Sequence, residues 1–142
     1  MTRRPLMLLA AAGSFALLAG AYVFQALGYS PCQMCLWQRW PHVAAIALGL
    51  VALALPHRGV ALLGALATTI TAGIGVFHTG VEKHWWEGPA SCTGSGLGGL
   101  SGNDLLSTDG AILVMCDQVS WAFLGLSMPS WNAVFSLILC GL

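Results

Sequence analysis

The sequence predicts an all-α membrane protein, a bundle of four apolar helices crossing a bilayer. Three observations carry that prediction: too few charges to cover a soluble surface, apolar runs of bilayer length, and tryptophans at the ends of those runs. Of 142 residues, 57% are hydrophobic and 7% are charged, where a soluble domain carries about a quarter charged residues. Lipid must cover what charge does not. Trp37, Trp40, Trp85, Trp86, Trp121 and Trp131 flank the apolar runs, the placement that amphipathic indoles take at the headgroup level. The formal net charge is zero, and nothing in it suggests a nucleic-acid partner.

The first run extends from about Leu6 to Leu27, after Arg3 and Arg4. It is longer than the roughly 7–15 residues of a signal-peptide core, so it reads as a retained helix. The second runs from about Leu36 to Leu55 and the third from about Val60 to Gly80; each meets the requirement of about 20 residues for a bilayer span. The fourth begins near Trp121 or at Pro129 and continues to Leu142. Counted from Pro129 it would be only about 21 Å long at 1.5 Å per residue, so either it starts earlier or the chain is shortened at its C-terminus. The second of these is the expectation. No internal repeat and no soluble domain is visible, and the chain reads as a single membrane domain.

Charge sets the orientation. Arg3 and Arg4 precede the first run, and His57 and Arg58 lie in the turn Pro56–Gly59. Lys and Arg stay on the cytoplasmic side. The N-terminus and that turn are therefore expected in the cytoplasm. The segments at about 28–35 and 81–120, which carry Glu82, Glu87, Asp104, Asp109 and Asp117, are expected outside. The run from Thr93 to Asn103 is rich in glycine and serine, a composition that predicts a flexible loop.

Of the cysteines Cys32, Cys35, Cys92, Cys116 and Cys140, the first four fall in the two outward segments. An oxidising compartment outside a bacterial membrane supports disulfides. Cys32-Gln33-Met34-Cys35, preceded by Pro31, is a Cys-x-x-Cys motif; such pairs commonly have depressed thiol pKa values and cycle readily. The spacing also occurs in zinc sites, but Cys92 and Cys116 form no second close pair. A zinc bound by all four, or two structural disulfides, are the plainer alternatives. Cys140 lies within an apolar run and reads as a small buried hydrophobe.

Arg39 follows Cys35 by four residues, so on one helix the two side chains share a face. A guanidinium and a helix N-terminus both favour a thiolate, and a charge at membrane depth is a candidate functional group. Pro41 leaves open a helix that starts only there. His78 stands near the outer end of the third run, where an imidazole could bond a carbonyl or pass a proton. His42, His57 and His84 read as interface or loop residues.

Taken together these residues resemble the DsbB family of bacterial disulfide-generating membrane proteins. The likeness rests on Pro31-Cys32-x-x-Cys35 with Gln38-Arg39, on His78-Thr79 ahead of Cys92, and on Cys116 leading into the stretch Trp121 to Trp131. It implies a four-helix bundle in the bacterial inner membrane with its redox loops in the periplasm. It implies that Cys32 and Cys35 form the pair near a membrane quinone, ubiquinone or menaquinone, with Cys35 nearest the ring. Cys92 and Cys116 would form the loop pair, reduced by a soluble thioredoxin-fold oxidase similar to DsbA, with Cys92 the site of the mixed disulfide. Arg39, His78 and Met128 would line the quinone site, and no metal is implied. A vitamin K epoxide reductase-like enzyme, or a non-enzymatic membrane protein with structural disulfides or zinc, are the competing expectations.

Overall fold

The computed structural model describes residues 3–93 and 114–142. The segment 94–113 lies outside the described residues and holds most of the glycine-rich run together with Asp104 and Asp109. Four helices are present among the described residues: α1 Arg3–Ala26, α2 Gln33–Ala54, α3 Arg58–Glu82 and α4 Met128–Cys140. At 1.5 Å per residue they measure about 36, 33, 37 and 20 Å. By length and composition α1 and α3 are apolar enough to cross a bilayer.

The ends of these helices follow from local sequence. Gly28 (φ 103°) stops α1. The Gly28 N–H donates to Gln25 O at 3.1 Å and the Tyr29 N–H to Phe24 O at 3.1 Å, a Schellman cap whose accompanying apolar contact is the edge-on Phe24–Tyr29 pair. Three residues join α2 to α3, and His57 caps α3 by accepting the Gly59 N–H at 3.1 Å. Pro41 does not start α2. It sits inside that helix, which runs unbroken from Gln33, and this keeps Cys35, Arg39 and His42 on neighbouring turns.

Of the two starts expected for the fourth helix, the one near Trp121 is not met. Trp121 to Ser127 are not helical: β1 Ala122–Phe123 and β2 Leu126–Ser127 make a small antiparallel hairpin. Its two-residue turn, Leu124-Gly125, has positive φ at both positions, as a primed hairpin turn requires. The helix itself starts at Met128 with Pro129 in its first turn, where a missing N–H does no harm.

Packing is arranged for lipid. The buried positions of the bundle are small or hydroxylic, among them Ala45, Ala52, Ala67, Thr68, Thr71, Ala72, Ala133 and Ser136, whereas Leu50, Leu62, Leu66, Leu137 and Ile138 are exposed. Small interface residues let helices approach closely where no hydrophobic force separates them from lipid. At Gly49 and Gly75 a side chain would meet Ala11 of α1 and Pro129 and Ala133 of α4. Helix α2 packs on α1 and α3, and α3 packs on α4, but α1 and α4 barely meet. The bundle is thus open along one seam. All six tryptophans lie at one end of it, around the start of α2, the end of α3 and the start of α4.

Candidate functional site

A cavity of about 430 Å3 occupies the seam between α1 and α4. Its wall is mostly apolar: Ala16, Leu17, Gly20 and Phe24 from α1, Met128, Trp131 and Phe135 from α4. The polar groups that reach it include Cys32, Cys35, Gln38, Arg39, His78 and Glu82. An apolar enclosure of this size with a few convergent polar groups is the usual form of a small-molecule site.

Cys32 stands immediately before α2 as its N-cap, and Cys35 is in the first turn. Their Sγ atoms are 3.3 Å apart as free thiols. Nε2 of His78, one turn before the end of α3, lies 3.5 Å from Cys32 Sγ. A hydrogen bond from the Cys35 thiol is the main cause that holds the Cys32 thiol down to about 4; burial opposes it and the His78 ring reinforces it. The shift favours the thiolate of Cys32, the form that takes part in exchange and electron donation.

Cys92 and Cys116 are joined by a disulfide. It is fully buried, in one cluster with Cys32, Met34 and Val81, and Cys35 packs against that cluster. The four cysteines, widely separated in sequence, converge at one point of the fold.

Arg39 lies on the cavity but does not pair with a thiol. Its Nη1 donates to Gln25 Oε1 of α1 at 2.8 Å, and its guanidinium covers the Tyr22 ring at 4.6 Å. The guanidinium that the Cys35–Arg39 spacing placed beside the thiols reaches α1 instead, and the ring that α3 brings to Cys32 is that of His78. Met128 lines the same cavity. Cys140 is half-buried and has a partner, Thr69 Oγ1 at 3.1 Å; it is remote from the other cysteines, at the C-terminal end of α4.

Several groups were given no role at the site from the sequence. His42 is neither an interface nor a loop residue: it is buried, with Nε2 at 2.8 Å from Asn132 Oδ1. Gln38 is buried and joins three helices: its Nε2 lies 3.0 Å from His78 Nδ1, and its Oε1 accepts from Asn132 Nδ2 at 2.8 Å. Glu82, expected in an outward loop, ends α3 half-buried on the cavity and accepts a short hydrogen bond from Ser127 Oγ. An asparagine within the apolar run of α4 was the available signal, because an amide at that depth needs partners.

Cys32 Sγ, Cys35 Sγ and a His78 nitrogen lie within 4.8 Å of one another, a spacing that would suit a metal ion. The ring's other nitrogen argues against it. Gln38 Nε2 donates to the Met34 carbonyl and so is the NH2 end of that amide; a second N–H faces His78 Nδ1, which must then accept. In a neutral ring this leaves the proton on Nε2, so the nitrogen beside the thiols offers a hydrogen and not a lone pair.

Comparison with known proteins gives a consistent answer. The family model described as disulfide bond formation protein DsbB matches residues 3–142. The chain is 36% identical over 127 residues to "Disulfide bond formation protein B" of Methylococcus capsulatus, covering 82% of this chain and 76% of that protein. It is 32% identical over 141 residues to the protein of that name in Stutzerimonas stutzeri, covering 91% and 85%. It is 28% identical over 139 residues to its namesake in a Polaromonas species, covering 93% and 82%. No solved structure matches it.

Proposed function

The chain belongs to the DsbB family of disulfide bond formation proteins, and from that footing we propose that it is a quinone-dependent oxidase of a periplasmic dithiol protein. The family and the apolar helices make it a membrane protein of disulfide bond formation. The finer reading adds four spans in the bacterial inner membrane, with the end that carries the tryptophans and the two cysteine pairs facing the periplasm and Arg3, Arg4 and Arg58 in the cytoplasm. The observation that carries it is the burial of the Cys92–Cys116 disulfide in one cluster with Cys32, at the mouth of an apolar cavity.

The electron path follows from that adjacency. A thioredoxin-fold partner similar to DsbA, in its reduced dithiol form, attacks the Cys92–Cys116 disulfide, with Cys92 as the site of the mixed disulfide. The partner leaves oxidised and the loop cysteines leave as thiols. A loop thiolate then attacks the Cys32–Cys35 disulfide at Cys32, the sulfur that packs against it, and Cys35 departs as the leaving thiolate; closure of the loop disulfide releases Cys32. Two electrons and two protons have moved to the inner pair, and the state with Cys92–Cys116 bonded and Cys32 and Cys35 free is the one in hand.

The cavity suits a quinone head group, ubiquinone or menaquinone. It is apolar along α1 and α4, open along the seam that faces lipid, and has donors at Arg39 and His78. A bound quinone supplies the two-electron acceptance that no side chain can provide. The protein's part is to hold Cys35 at the cavity and to keep Cys32 anionic. Arg39 presents a fixed cation, Met128 an apolar contact, and the wall excludes water. His78 Nε2 and the Glu82 carboxyl are the groups placed to carry protons there.

Purified protein given a reduced thioredoxin-fold partner and a soluble ubiquinone analogue should consume the quinone absorbance catalytically. Loss of that turnover in Cys35→Ser is expected. No quinone loss with the unaltered protein would sink the reading.

A further inference from the structure

We infer that Gln38 is a positioning residue that fixes the tautomer of His78, so that the ring presents Nε2–H, and not a lone pair, to Cys32. The role rests on the reading of Cys32 as a reacting thiol, but the assignment itself depends only on hydrogen-bond geometry. Gln38 lines the cavity, but the role assigned to it is exerted through another side chain.

A backbone carbonyl can only accept. Met34 O lies 3.3 Å from one end of the Gln38 amide, so that end is the nitrogen. The same nitrogen is 3.0 Å from His78 Nδ1, which must accept its second hydrogen. The neutral ring then carries its proton on Nε2, 3.5 Å from Cys32 Sγ. A hydrogen bond to the charged form of a thiol favours that form.

The other end of the Gln38 amide is equally constrained. Its Oε1 accepts from Asn132 Nδ2 at 2.8 Å, and Asn132 Nδ2 also donates to Thr71 Oγ1 at 3.0 Å. Thr71 has used its own hydrogen on Gln38 O at 3.0 Å, so it can receive. Asn132 Oδ1 is left to accept from His42 Nε2 at 2.8 Å. Turning the Gln38 amide over would set two carbonyl oxygens face to face at Met34 and two NH2 groups face to face at Asn132. All these side chains are buried or half-buried, where unmatched polar groups have no water to turn to. The network has one consistent direction, and it ends at the thiol.

Among the described residues, the titratable groups around Cys32 are Cys35 in the first turn of α2 and His78 and Glu82 on α3. Of these, His78 is the one whose donor or acceptor character is set from outside the pair.

The test is nitrogen NMR of 15N-histidine-labelled full-length protein, with Cys32 and Cys35 reduced, and with His78 signals assigned from their loss in His78→Phe. The expected pattern is a protonated Nε2 and a bare Nδ1. Gln38→Glu offers only acceptors, so the proton should move to Nδ1. Gln38→Met should abolish the single tautomer and raise the midpoint of Cys32 thiolate formation, read by ultraviolet absorbance, by about one pH unit. A bare Nε2 in the unaltered protein overturns the inference without any variant having to fold. So does a Gln38→Met spectrum and thiolate midpoint equal to those of the unaltered protein. If quinone reduction is absent while the Nε2–H pattern holds, the functional reading fails and the tautomer assignment stands.

Discussion

Arg39 on α2 donates through Nη1 to Gln25 Oε1 on α1 at 2.8 Å, and so ties α2 to α1 beside the cavity. The guanidinium rests on the Tyr22 ring, and among the described residues its other N–H groups have no hydrogen-bond partner. Replacing Arg39 with Ala removes both the cation and the tie. The KM for a soluble quinone analogue should rise about tenfold, equivalent to about 1.4 kcal/mol, with a smaller change in kcat. Gln25→Ala keeps the cation and should give a lesser rise. Steady-state kinetics on the two variants checks this, and an unchanged KM in Arg39→Ala would remove Arg39 from the acceptor site.

The acidity of Cys32 gives a prediction with a definite sign. An ordinary thiol, at 9.0, is protonated at neutral pH, whereas Cys32 is lowered to about 4, chiefly by the hydrogen bond from Cys35. The thiolate should therefore be present in the reduced protein from neutral pH downward and be lost only as pH falls through about 4. Ultraviolet thiolate absorbance against pH measures it, with Cys32→Ser as the blank. Because the donor is the Cys35 thiol, Cys35→Ala should move the midpoint upward. A midpoint near the ordinary thiol value in the unaltered protein would contradict the geometry.

Much of this site could be read along the chain, and the reason is chemical. Cys-x-x-Cys with Gln38-Arg39, and His78-Thr79 before a loop cysteine, are short motifs whose spacing survives folding. The sparse charge and the terminal tryptophans gave the membrane class for the same local reason. The polar lattice inside the bundle was not legible. Gln38, Asn132, Thr71 and His42 lie on three helices, and nothing in their spacing along the chain says that α2, α3 and α4 bring their side chains within hydrogen-bond reach. Arg39 shows the opposite failure: sequence spacing placed it on the Cys35 face, but a long side chain on that face reaches α1 instead.

The adjacency of the two cysteine pairs predicts a trapped intermediate. In Cys35→Ala the Cys32 thiol loses its close partner but still faces the buried Cys92–Cys116 disulfide. Attack by Cys32 forms a bond to one loop cysteine and releases the other as a thiol. Alkylation followed by proteolysis and mass mapping should find a Cys32 peptide linked to a Cys92 or Cys116 peptide. Cys32→Ala should form none. A Cys35→Ala protein that keeps only the Cys92–Cys116 bond over hours would show that the pairs do not exchange directly.

Helix spacing sets the last expectation, because the Asn132–Gln38 bond depends on how closely α4 lies against α3 and α2. At Gly75 an added Cβ would stand 2.8 Å from Pro129 O and 3.1 Å from the Ala133 Cβ. Backbone cannot yield as a side-chain tip can, so α4 must move outward. Gly75→Ala should lower unfolding stability by about 1–3 kcal/mol, the usual penalty of overpacking. Gly73, two residues away on the same helix, has nothing within 4 Å of such a Cβ. There Gly→Ala should be neutral or stabilising by up to about 1 kcal/mol, through helix propensity alone. Thermal unfolding of the two variants in detergent separates packing from propensity. Because Asn132 neighbours Ala133, the Gly75 variant should also loosen the lattice that ends at His78, and raise the Cys32 thiolate midpoint where Gly73→Ala leaves it unmoved.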